Sequence, residues 1–244
     1  MQTTFRCRQR QSAAGMKSHG FLLLVVMIAA SASPRLASAV TVGQTDDFED
    51  STLQSWEAGG GSNPNPPTNI STGGPAGVGD QFLRLTSSGS SGAGGRLVVF
   101  NADQWTGDYL ADSIDSIRMQ VRNFGATNLV LRMILENANA GDSLGTISPV
   151  NVPAGGGWTT VSFSLASANL MGGDYTSVME DVTTFNLVHS PSSITARSSA
   201  PNIAAQLGID NITAVPEPGG IVMALAGWTL LTSMAVRRRA SSRR

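Results

Sequence analysis

Apolar residues along the 244-residue chain fall into two uninterrupted runs near its ends and a middle in which apolar and polar positions alternate. Alternation with period two marks half-buried strands. Ile117, Met119 and Val121 alternate with Arg118, Gln120 and Arg122; the turn-like Asn123–Asn128 follows, and then Leu129, Leu131, Met133 and Leu135 share one face. This pair reads as the clearest hairpin. Gln81–Thr86 and Arg96–Asn101 are short apolar runs on either side of the turn-rich Ser87–Gly95. Val161, Phe163 and Leu165 alternate with Thr160, Ser162 and Ser164 after Gly155–Gly157, and Val182–Val188 and Gln206–Thr213 add two more strands. Some seven short strands separated by turns predict an all-β fold, a jelly-roll-like β-sandwich over residues 40–214. Within it the Gly-, Asn- and Pro-rich stretch 58–79 reads as a flexible loop.

The terminal runs have a different character. Phe21–Ala30 is apolar, is preceded by Lys17, and is followed by small residues ending Ala37-Ser38-Ala39. That order predicts a signal peptide over 1–39, cut after Ala39 by signal peptidase, with Met1 or Met16 as the start. Residues 219–236 are 18 residues without a charge, followed at once by Arg237, Arg238 and Arg239. As a helix this run is roughly 27 Å long, enough for one transmembrane helix. The arginines act as a stop-transfer cluster on the cytoplasmic side, so the middle segment is exported across the membrane.

Charge is divided in the same way. Residues 40–215 hold 16 acidic side chains and only six arginines, ten negative charges in excess, with no lysine. Nucleic acid is therefore not an expected partner. Cys7, the one cysteine, falls within the signal peptide, so the exported part has neither disulfide nor thiolate chemistry. His189 is the one histidine after the signal. It stands at the end of a strand-like run before Pro191, without a G-x-S-x-G motif, and reads as a partly exposed structural residue. No phosphate loop and no marked carboxylate pair is found, and an enzyme is not expected.

Val215-Pro216-Glu217-Pro218 precedes the apolar helix, and its prolines favour an extended, exposed stretch. This V-P-E-P, the helix 219–236 and the Arg-rich tail 237–244 together resemble the PEP-CTERM sorting signal of Gram-negative bacteria. The resemblance implies that residues 215–244 are recognised by an exosortase-like sorting enzyme. It further implies that the protein is anchored in the inner membrane at least transiently before reaching the cell surface or an exopolysaccharide matrix. A second resemblance lies at the ends of the middle segment. Asp46-Asp47-Phe48-Glu49-Asp50-Ser51 through Trp56 is similar to the opening of carbohydrate-binding jelly rolls with a galactose-binding-like fold, and Leu207-Gly208-Ile209-Asp210-Asn211-Ile212 to their closing strand. It implies a structural Ca²⁺ with Glu49 and Asp210 as ligands and Asp47 as a third. Ser51 stands where that family commonly has glycine.

Trp105 and Tyr109, in the polar stretch Gln104–Tyr109, are the aromatic candidates for a sugar-binding face, with Gln104 and Asp108 bonding hydroxyls. Trp56 and Trp158 lie at strand starts and read as core. The main expectation is an exported structural or interaction protein of the surface or matrix. The alternative is a carbohydrate-binding protein with exopolysaccharide as partner, and the third reading is a glycan-processing enzyme.

Overall fold

The computed structural model describes residues 39–59 and 62–216. Twelve strands run in chain order: β1 (Thr45–Asp46), β2 (Thr68–Ile70), β3 (Phe82–Ser88), β4 (Val98–Asn101), β5 (Ile114–Asn123), β6 (Leu129–Asn137), β7 (Asp142–Thr146), β8 (Val150–Val152), β9 (Thr159–Ser164), β10 (Leu170–Gly172), β11 (Thr184–His189) and β12 (Ala204–Pro216). One short helix, α1 (Tyr175–Glu180), begins at Asp174, whose carboxylate accepts the Ser177 N–H at 2.7 Å. No described helix is long and apolar enough to cross a membrane. The expected span 219–236, with Glu217, Pro218, Arg237, Arg238 and Arg239, lies outside the described residues, as does the signal segment before Ala39.

All pairings are antiparallel and make two six-stranded sheets. The first has the order β2-β3-β12-β5-β9, with β1 also on β12; the second has the order β10-β7-β6-β11-β4, with β8 also on β6. The alternating residues of β5 direct Ile117, Met119 and Val121 inward, and Leu83, Leu85, Leu207 and Ile209 join them from β3 and β12. Leu129, Leu131, Met133, Leu135, Phe185 and Leu187 face them from the second sheet, so the core fills the space between two pleated surfaces.

The predicted hairpin does not form. β5 pairs with β12 and β9, whereas β6 pairs with β11, β7 and β8. Both strands carry a full apolar face, and the two faces bury more surface opposed across the sandwich than they would side by side. Asn123 secures the crossing between sheets: its amide donates to the carbonyls of Thr127 (2.8 Å) and Val152 (3.1 Å) and accepts the Gly125 N–H (2.9 Å). Nor is stretch 58–79 structureless. β2 pairs with β3, the Gly73 and Gly74 N–H groups bond Gly77 and Asp80 carbonyls, and Asn69 donates to Phe48 and Thr52 carbonyls. The domain extends past residue 214, because Val215 and Pro216 continue β12 opposite Ser116 and Ile114. They were expected to stand clear of the sheet; a proline is tolerated here because it ends the strand beyond a register shift, where its missing N–H costs little. At the other end the described residues start at Ala39. Ala39 is exposed, while the Val40 side chain is fully buried and its N–H donates to the Thr106 carbonyl at 2.8 Å.

The second sheet is covered on its outer side as well. Every residue of β11 is buried. Residues 190–200 cross that face, where Ala200 packs on Ile134 and Val188, with Val98 and Ile194 beside them. Arg132 anchors the crossing. Its buried guanidinium donates to the carbonyls of Ser190, Pro191, Thr146 and Ile147 at 2.7–3.1 Å.

Candidate functional site

The aromatic candidates lie inside the fold. Trp105 and Tyr109 are both at 0% exposure. Asp46, which the sequence did not single out, is the reason. Its Oδ2 accepts the indole N–H of Trp56 (2.7 Å) and of Trp105 (2.6 Å), and the Gln104 amide donates to it at 3.1 Å. Burial holds the Asp46 carboxyl above the usual carboxylate range, against the downward pull of the Trp105, Trp56 and Gln104 hydrogen bonds. Phe185 of the second sheet packs on both indoles, with ring centroids 5.3 and 5.6 Å apart. The Tyr109 hydroxyl donates to the Trp105 carbonyl at 2.9 Å, and Asp108 accepts the Leu110 and Ala111 N–H groups in a local turn. Gln104, Trp105, Asp108 and Tyr109 are thus engaged within the protein and present no sugar-stacking face. The physical reason is that a carboxylate placed between two indole N–H groups is satisfied only if both rings turn inward.

Trp56, expected in the core, is there; Trp158 is not. Trp158 lies half-buried on the outer face of the first sheet, edge-on to Phe82 and Phe124. His189 is more enclosed than expected, at 5% exposure, and its Nδ1 accepts the Val130 N–H at 3.0 Å. Desolvation lowers its pKa, so the neutral ring is a structural acceptor and has no partner for nucleophilic chemistry.

The implied calcium ligands are neighbours. Asp210 is nearly inaccessible, and burial, with Asp80, Glu49 and Asp47 as like-charged neighbours, pushes its pKa up to about 7. Asn211, at φ 51°, bulges out of β12 and donates both its N–H and its amide to Asp210. Glu49 accepts the Gln81 N–H, Asp47 accepts the Glu49 N–H and Asp80 accepts the Ala76 N–H. Among the described residues no group of three or more acids or histidines is placed to hold a metal ion. As folded, these carboxylates are spent on backbone donors and do not converge on one point, so the arrangement does not fit Ca²⁺ without their turning.

The best-formed cavity is a groove of about 520 Å³ beside β4, between β3, the 57–59 segment and the 92–94 turn. Glu57, Asn63, Thr86, Arg96, Phe100 and Arg197 bring the chemistry to its walls. Phe100 is held by two backbone hydrogen bonds to Glu57, both 2.8 Å. The Arg197 guanidinium lies 4.4 Å from its ring centroid, and donates to Asn186 at 2.9 Å. A ring with a cation on it, a free carboxylate and an amide around an open groove suit a polyhydroxylated ligand, which needs one apolar face and several hydrogen bonds. Sequence reading passed over Phe100 because it ends the uninterrupted apolar run L-V-V-F, which hides which residue faces outward. Arg197 opens a single 3-10 turn, Arg197–Ser199, too short to show a periodic pattern.

No protein-family model matches the chain, and no characterised protein matches it in sequence. Solved structures do match. An exo-beta-agarase superposes with a TM-score of 0.53 at 13% identity, over 73% of this chain and 26% of the agarase. The chain therefore spans about a quarter of that protein. A family 11 carbohydrate-binding module from Clostridium thermocellum, solved with a beta-1,3-1,4-mixed-linked tetrasaccharide, aligns with a TM-score of 0.47 at 12% identity, over 72% of this chain and 97% of the module. The agarase likeness establishes a shared β-sandwich fold.

Proposed function

We propose that the sandwich is a polysaccharide-binding domain of an exported protein, with the groove beside β4 as its binding site. The observation that carries this reading is the groove itself, in which Phe100 and Arg197 form one wall and Glu57, Asn63 and Arg96 the rim. It favours the carbohydrate-binding alternative over a purely structural role. Calorimetric titration of the full chain with agarose-derived oligosaccharides and a mixed-linkage β-glucan is the test. Binding weakened about tenfold by Phe100→Ala supports the groove; absence of binding across such a panel overturns it, and turnover of any member favours the glycan-processing reading.

Export and sorting rest on the terminal sequences. Replacement of Pro216-Glu217-Pro218 by alanines is expected to block processing by an exosortase-like enzyme and retain the chain in the membrane; unchanged processing and surface location overturn the sorting reading. The structural Ca²⁺ has the crowding of Asp47, Glu49, Asp80 and Asp210 in its support. It would act by drawing these carboxylates together and relieving their repulsion, so CaCl₂ is expected to raise the melting temperature relative to EDTA; no shift removes the ion from the account.

A further inference from the structure

The groove and the Arg132 anchor leave unused three of the six described arginines, Arg84, Arg118 and Arg122, all on the outer face of the first sheet. Among the described residues the one ion pair is Arg197–Glu136, and none of these three guanidinium groups has a hydrogen-bond or carboxylate partner. Arg84 and Arg122 stand on either side of Gly208, opposite it in the registers of β3 and β5. Two strand spacings put them about 10 Å apart.

Both are held in place. The Nε of each is enclosed without a partner, while the Nη groups remain open to solvent. The Arg122 guanidinium lies 4.6 Å from the Phe124 ring centroid. Phe124 stacks on Phe82, with centroids 5.6 Å apart and planes 15° apart, and Trp158 closes the cluster edge-on while its indole donates to the Gly73 carbonyl at 3.0 Å. These rings occupy the notch over Gly208, where a Cβ would lie 2.7–3.2 Å from ring atoms of all three. A guanidinium laid on a ring is fixed with its N–H groups pointing sideways into water, and prearranged donors lose little freedom when they bind. Their planar fork matches a carboxylate. Gln120, Gln206 and Thr160 on the same face offer hydrogen bonds to hydroxyls.

We propose that this face binds a polyuronate, an acidic polysaccharide whose carboxylates are taken by the Nη edges of Arg84 and Arg122 beside Trp158. The excess negative charge of the domain does not forbid it: acids farther than about 8–10 Å are screened at physiological salt, and the nearer Asp210, two residues from Gly208 on β12, is buried and turned to the Asn211 N–H and amide. The surface is separate from the groove, and the two stand or fall independently.

Affinity gel electrophoresis of the full chain through polygalacturonate, dextran sulfate and agarose tests the proposal. Polygalacturonate should retard the native chain, less so at high salt, and Arg84→Gln with Arg122→Gln should weaken the retardation about tenfold or more while leaving binding to agarose unchanged. Should that pair fail to fold, Arg84→Lys with Arg122→Lys keeps the charge, removes the fork and should still weaken it. Phe100→Ala, which disables the groove, should leave polygalacturonate binding intact. No retardation by polygalacturonate, stronger retardation by dextran sulfate, or retardation unchanged in both arginine pairs overturns the proposal.

Discussion

The outer faces of the two sheets start from the same pleated geometry and meet solvent differently. On the first sheet the outward positions are mostly polar, Arg84, Thr86, Arg118, Gln120, Ser162 and Gln206, and among the described residues only the Phe82–Phe124–Trp158 cluster lies over its centre, at Gly208. On the second they include Val98, Ile134 and Val188, and residues 190–200 lie across them. Apolar outward positions are stabilised by a cover, and the cover in turn needs an anchor, which Arg132 provides through four carbonyls. Polar outward positions need none, so the first face stays open and its arginines stay available. The comparison shows that the difference between an open face and a sealed one rests on a few outward side chains, while both inner faces are apolar.

Four changes break or sharpen this contrast. The largest effect is expected from Asp46→Ala, which lies between the sheets and undermines both faces alike. It strands two buried indole N–H groups at about 1–3 kcal/mol each, read as lost stability in urea unfolding. Next comes Arg132→Met, which frees four carbonyls and should affect the sealed face alone, costing about 2–4 kcal/mol and exposing Arg197 to trypsin in the native state. Gly208→Ala is confined to the open face. Its Cβ must displace Phe124, Trp158 and Phe82, at about 1–3 kcal/mol, with a change in tryptophan fluorescence.

The fourth change is read as a pH slope at Asp210, at the edge of the open face. Folding raises this carboxyl to about 7, so between roughly pH 4 and 7 the folded chain keeps a proton that the unfolded chain has released. Stability contributed by this group is therefore complete at low pH, falls as pH rises through that window, and levels off above it. Asp210→Asn removes the slope. The melting temperature of the variant relative to the native chain should rise between pH 5 and pH 8; a constant difference would show that the carboxyl is not perturbed.

Much of the fold was legible because burial on one face writes itself as alternation. β5, with Ile117, Met119 and Val121 inward and Arg118, Gln120 and Arg122 outward, is readable at sight. β11 and the middle of β6 are buried on both faces although Thr184, Asn186 and Arg132 on their outer side are polar, so their sequence conceals that this face is covered. The short β1, β2, β7, β8 and β10 are two to five residues long, below the length at which a period can be seen. The site was less legible than the fold. Trp105 and Tyr109 stood out because polar neighbours surround them in sequence, yet those neighbours, Gln104 and Asp108, turn to Asp46 and to backbone N–H groups. Ser51 shows the reverse case. It stands where the resembling family has glycine, and its φ of 63° places it in the left-handed region that glycine occupies without strain.

By itself the sequence determined the all-β class and which side of most long strands faces inward, because these follow from a two-residue period. Only the tertiary structure decided which strands became neighbours, which tryptophans were drawn inward by Asp46, and which sheet face was left open. Those outcomes depend on contacts between residues as far apart as Asp46 and Trp105, or Arg84 and Gly208, and nothing in the spacing along one chain encodes which distant hydrogen bond will be satisfied.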